Sequence, residues 1–235
     1  MRNIILASGP FIVWFLAITE IALLVVSIKT AKKTINYLSA AVCFGLAVDA
    51  TIIAIGSLLG EGAILQGISQ IRYILHGILV PLLIPIAFYV YGVNKKQSKL
   101  ILWIVTGTVI AAGIAMGFMI KTEPAHIAGI LRYADSAASP AFANIMERIL
   151  SFGGVIPLIV IGIAHWVKHK SPFLALSGIA MFVFSALGPA TGNMDLNFLI
   201  TMIGEDFMVF FFGLELGRMK KESEKVSTYE RRNTQ

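Results

Sequence analysis

The sequence predicts an all-α, polytopic membrane protein: a bundle of seven transmembrane helices, with the N-terminus outside and the C-terminus in the cytoplasm. Three observations predict it. The composition is too apolar for water, the apolar residues fall into seven runs of span length, and the cations lie on one side of those runs.

Of the 235 residues, 57% are hydrophobic and 14% charged. A soluble domain of ordinary composition has about 45–50% apolar and about 25% charged residues. One aqueous core of this size cannot hide the excess, whereas a bilayer dissolves it. The formal charge of +6 does not indicate nucleic acid, because the cations sit in short blocks between apolar runs and form no basic stripe with interleaved aromatics. They suit topology signals and anionic lipid headgroups. Cys43 is the lone cysteine, so an intrachain disulfide and a thiolate cluster are both excluded.

The runs occupy 10–28, 36–60, 71–93, 100–120, 149–167, 172–190 and 196–217. Each is close to the ~20 residues a helix needs to cross the hydrocarbon. They lack the alternation of barrel strands, and a helix satisfies its own backbone groups. The first run is too long for the apolar part of a signal peptide and is read as a span. The sixth is short and ends at Gly188-Pro189.

Orientation follows from the cations. Lys29, Lys32 and Lys33 follow the first run, Lys95, Lys96 and Lys99 the third, and Lys168 and Lys170 the fifth. Arg218, Lys220, Lys221, Lys225, Arg231 and Arg232 follow the seventh, making fourteen of nineteen cations. The other side has Arg2, Arg72, Lys121, Arg132 and Arg148. Cation-rich loops stay in the cytoplasm, and the compact loops lead to the expectation of a multi-pass protein in a plasma (inner) membrane. Residues 1–217 form one transmembrane domain. Residues 218–235 alternate cations and anions with few apolar groups, and are expected to be a disordered cytoplasmic tail. The longest outer segment, Lys121 to Arg148, is expected to be a short interfacial helix or an ordinary covering loop.

Ionisable side chains inside spans are costly and normally face protein or water. At 1.5 Å per residue, Glu20, Asp49 and Glu205 each lie about 15 Å from the outer boundary. Asp206 makes a fourth carboxylate, pointing about 100° away from Glu205. Asp49 shares a stripe with Ala41, Gly45, Gly56 and Gly60, a small-residue face that turns it toward other helices. Arg72 and His76 are four residues apart and share a helix face, with Tyr73 adjacent. If the third span begins at Ile71, His76 lies only about 7 Å deep. The expected picture is therefore a vestibule, with Arg72, Tyr73 and His76 at the mouth as ligand-binding or gating residues. Glu20, Asp49, Glu205 and Asp206 lie below as an ion- or proton-binding set. Pro81, Pro85 and Pro157 fall inside spans and kink them.

Several chemistries are weighed against this set. A retinal pigment needs a lysine within a span for its Schiff base, and the spans have none at mid-depth. A shared haem needs two histidines at one depth, whereas His76 and His165 differ by about 16 Å. An intramembrane metal-dependent hydrolase could use Asp49, His76 and Glu205 as ligands, but no H-E-x-x-H pair accompanies them. A seven-helix sensor or a partner subunit without turnover would need the same cavity and no chemistry. The preferred reading is carriage of a small solute or cation, with the mid-depth carboxylates carrying protons or cations. The lipid bilayer is the partner implied throughout.

Overall fold

In a computed structural model, residues 2–30, 34–93 and 95–233 are described. Lys32 and Lys33 of the first cation-rich loop lie outside them. The apolar runs become α1 (Arg2–Thr30), α2 (Thr34–Leu59), α3 (Ala63–Leu79), α4 (Leu83–Tyr91), α5 (Lys96–Met119), α6 (Ala141–His169), α7 (Phe173–Ala190) and α8 (Met194–Asn233). A 3-10 turn at Val80–Leu82 joins α3 to α4. It contains Pro81, whose ring nitrogen cannot donate to the helical ladder. Together α3 and α4 make one crossing, and six helical segments among the described residues are long and apolar enough to span a membrane. The protein is an all-α polytopic membrane fold.

The helices close into a ring. Neighbours in chain order pack on one another from α1 to α3, α3 packs on α5, and α5 through α8 follow in order until α8 returns to α1. The α4 segment turns inward against α6. Glycine permits the closest of these approaches. A Cβ on Gly77 of α3 would meet the Gly113 backbone of α5, and one on Gly117 would meet the Ile74 backbone. The Gly213–Gly217 pair of α8 meets nothing, so that spacing carries no helix contact here. Large apolar side chains cover the outside of the ring, with Phe11 at 77% and Leu58 at 76% exposure. Such a surface is stable only against acyl chains.

Three elements differ from the sequence expectation. The third and fifth crossings start about two turns early, at Ala63 rather than 71 and at Ala141 rather than 149. Polar residues such as Gln66 and Asn144 continue the helix beyond the apolar run because hydropathy marks the lipid-immersed part, not the helix end. Second, the segment between α5 and α6 is neither a helix nor a plain loop. It is an antiparallel hairpin of β1 (Thr122–Ile127) and β2 (Ile130–Asp135), pairing Ile127 with Ile130 and Ala125 with Arg132. Its two-residue turn, Ala128-Gly129, has φ of 51° and 77°, the paired positive values of a type I′ turn. Alanine tolerates this poorly. It is held there because its amide donates to Asp195 Oδ1 at 2.7 Å and because its side chain is fully buried, where Gly9 leaves space beside it.

Third, α8 continues to Asn233, where a disordered tail is expected from residue 218. The same charge alternation that looks unfoldable in sequence suits a helix surface, since acids and bases four apart meet. Arg218 Nη1 donates to Glu222 Oε1 at 2.5 Å.

Candidate functional site

The hairpin lies over the ends of α1, α2 and α8. Its Leu131 amide donates to Ser57 Oγ of α2 at 2.9 Å, and the Leu131 carbonyl occupies the space a Cβ on Gly56 would need. Gly129 sits against the Leu6 carbonyl of α1. Beneath it is a cavity of about 870 Å³, within the range of small-molecule sites, roughly 300–1,000 Å³.

Asp49, Arg72, Tyr73, His76 and Glu205 all line this cavity. The two-tier vestibule does not form. Because α3 begins at Ala63, Arg72 lies about 14 Å along it at 1.5 Å per residue. Asp49 lies about 15 Å from the end of α2 by the same rise. The two therefore share a depth and pair directly, with Arg72 Nε donating to Asp49 Oδ1 at 2.5 Å. His76 lies about 20 Å in, deeper than the pair and not at the mouth. Within the small-residue stripe, Gly45 faces Leu79 of α3, and Gly60 faces nothing.

Glu20 and Asp206 do not line the cavity. Their carboxyls are neighbours, and Asp206 Oδ2 accepts from Thr19 Oγ1 at 2.6 Å, while Glu20 Oε2 and Asp206 Oδ1 have no hydrogen-bond partner. Glu20 is 2% exposed. The four mid-depth carboxylates thus divide in two. Asp49 and Glu205 face a space, while Glu20 and Asp206 join α1 to α8. Adjacent residues on a helix point about 100° apart, which separates Glu205 from Asp206.

Arg132 of β2 completes the cavity, and the sequence reading does not include it in the site. Its guanidinium lies 4.7 Å from the Phe198 ring centroid, a cation–π distance, and hydrogen-bonds to Tyr73. Burial, and then the neighbouring Arg72, pull its proton affinity below the usual arginine value. A cation in a loop carries no hydropathy signal, so only the hairpin geometry brings it into the site.

A second polar cluster lies at the opposite, lysine-rich end. Glu215 of α8 is fully buried. Its Oε1 accepts from Arg218 Nη2 at 2.7 Å and faces His165 Nε2 of α6 at 3.0 Å, while its Oε2 accepts from Ser171 Oγ. This acid lies inside the seventh apolar run, so the rule that marks Glu205 marks it too. Its position near the end of the run concealed it.

Among the described residues, no three His, Cys, Asp or Glu side chains converge to hold a metal ion. The Asp49, His76 and Glu205 alternative therefore does not assemble as a metal centre, because Asp49 is turned into its ion pair with Arg72. Fold and site together define an α-helical, multi-pass membrane protein with a charged internal cavity. Comparison with protein-family models and with curated proteins finds no match to this chain.

Proposed function

We propose that this protein carries a small solute across a plasma (inner) membrane, through the cavity beneath the hairpin. In this reading α8 supplies the seventh span, and the hairpin and N-terminus face outward. The fourteen-to-five division of cations supports that orientation by the positive-inside rule. One observation carries the proposal: Asp49, Arg72, Arg132 and Glu205 surround a single space large enough for a solute. A structural polar cluster inside a membrane closes on itself, since every unmet group costs free energy there. This one encloses a space.

Glu205 is the mobile carboxylate of the proposal. Asp49 is committed to Arg72, whereas Glu205 has no ion pair within 4 Å among the described residues and can exchange a proton or cation with the cavity. Arg72, Tyr73 and His76 form the wall that contacts the solute. Glu20 and Asp206 hold α1 to α8 and shape the protein part of the path.

The test is flux in proteoliposomes. With a pH-sensitive dye inside, an imposed proton gradient and small organic solutes supplied outside, the intact protein should carry protons inward faster than empty liposomes, and Glu205→Gln should lower that protein-dependent rate at least tenfold. Equal rates for the two proteins would remove Glu205 from the path. No flux above empty liposomes would refute the carrier reading.

A further inference from the structure

The cavity contains donors that nothing in the protein uses. Arg72 Nη1 and Arg132 Nε are both buried and lack a hydrogen-bond partner. Arg72 is 7% exposed, and its Nε is already committed to Asp49. Arg132 has no ion pair among the described residues; its contacts are an aromatic face and a phenol. The two guanidinium groups are close enough to repel each other. Two like charges with spare N–H groups in a low-dielectric wall form a costly arrangement unless an anion joins them.

We infer that the solute is an organic monocarboxylate, bound through Arg72 Nη1 and Arg132 Nε with an apolar body pointing deeper, and accompanied by one proton on Glu205. This rests on the carrier reading for its direction of travel, though not for its binding chemistry.

Charge counting over the four groups at the centre, Asp49, Arg72, Arg132 and Glu205, sets the stoichiometry. Arg72 and Arg132 supply two positive charges, and Asp49 cancels one. With Glu205 ionised the centre is balanced, and an incoming anion meets no net attraction. With Glu205 protonated one positive charge is left over, which a single carboxylate neutralises. Anion and proton therefore favour each other's binding. A phosphate dianion brings one charge too many, and the monoanion that prevails at acidic pH has no apolar body to fill the deeper wall. The charged groups nearest Glu205 are Asp49 on α2, Arg72 and His76 on α3, Arg132 on β2, Asp206 on α8 and Glu20 on α1, while Glu123 of β1, Asp135 of β2 and Glu147 and Arg148 of α6 line other parts of the same cavity. The α7 helix contributes no ionisable side chain.

The deeper wall identifies the rest of the ligand. Val42, Leu46, Leu79, Leu83 and Met208 line it, with Met181 near the level of Arg72, and methionines adapt to varied apolar shapes. An acid of this kind could enter from water or from the bilayer, so both sources are tested.

The experiment is equilibrium binding to the full chain in nanodiscs, followed by intrinsic tryptophan fluorescence. The ligands are octanoate from solution, palmitate delivered in the lipid, and inorganic phosphate. Octanoate should bind saturably at mildly acidic pH and weaken by up to tenfold per pH unit on the alkaline side. In Glu205→Gln it should bind with no such pH dependence. Arg132→Gln should weaken it at least tenfold, and Arg132→Lys, which keeps the charge but loses the planar fork, should fall between. The lysine variant separates lost recognition from lost folding. Saturable binding of palmitate alone would assign the bilayer as the source. Phosphate binding as tightly as octanoate, failure of both carboxylates to bind, or unchanged affinity in Arg132→Gln would each overturn the inference. Flux without carboxylate binding would leave the carrier reading standing and sink this one; carboxylate binding without flux would do the reverse.

Discussion

The two charged clusters of this molecule show opposite solutions to one problem. Glu215 at the lysine-rich end is surrounded: Arg218, His165 and Ser171 all reach its two oxygens. The cluster beneath the hairpin is incomplete. Asp49 and Arg72 satisfy each other in part, yet Arg72 Nη1 and Arg132 Nε have no partner. A buried charge in a membrane must be paired or hydrated. A closed cluster therefore serves packing, and an open one beside a cavity serves something that comes and goes. Burial of an acid does not discriminate between these roles. Whether the unused donors face a cavity does: His165 Nδ1 also lacks a partner, but His165 is not among the residues that line the cavity.

The sharpest way to break this comparison is to remove the closed cluster's centre. Glu215→Ala leaves Arg218 and His165 facing each other without a carboxylate and should cost about 3–5 kcal/mol of stability, as broken buried pairs do. Unfolding by denaturant in mixed micelles measures it. A loss under about 1 kcal/mol would mean that water already shares the site.

A smaller stability effect is expected at the open cluster. Asp49→Asn removes the partner of Arg72, but the guanidinium can turn toward the cavity, so the loss should be about 1–3 kcal/mol. Flux should nevertheless fall at least tenfold, because the wall of the proposed path has changed. A variant that is badly destabilised yet transports normally would exchange the roles of the two clusters.

The smallest effect belongs to the helical extension of α8. Glu222 is 59% exposed, and its i,i+4 contact with Arg218 is worth only about 0.3–0.5 kcal/mol. Glu222→Gln should therefore leave the unfolding midpoint nearly unchanged. A loss approaching that of Glu215→Ala would show that the closed cluster extends beyond the buried residues.

Much of the architecture is legible in the linear sequence. Hydropathy is a local property, and each apolar run needs only its own backbone to become a helix in lipid. The six apolar crossings follow from it, as does the low cost of a large lipid-facing surface. Helix ends are less legible, because Gln66 and Asn144 are compatible with either helix or loop. That small displacement matters. Starting α3 at Ala63 instead of 71 moves Arg72 from the mouth to the depth of Asp49, turning a gate into an ion pair.

Tertiary structure alone decided the rest. The hairpin is nearly invisible in Thr122–Ile127, which contains a proline, a glutamate and an alanine, all poor strand formers. It forms because its turn has somewhere to dock, against Gly9, Leu6 and Asp195. Only then does Arg132 reach the cavity. The same holds for the carboxylates. Sequence spacing put Glu20, Asp49, Glu205 and Asp206 at one depth, which is a statement about rise along single helices. Which of them face a space and which face each other depends on the order of the ring and the rotation of each helix, and these are properties of packing between segments far apart in the chain.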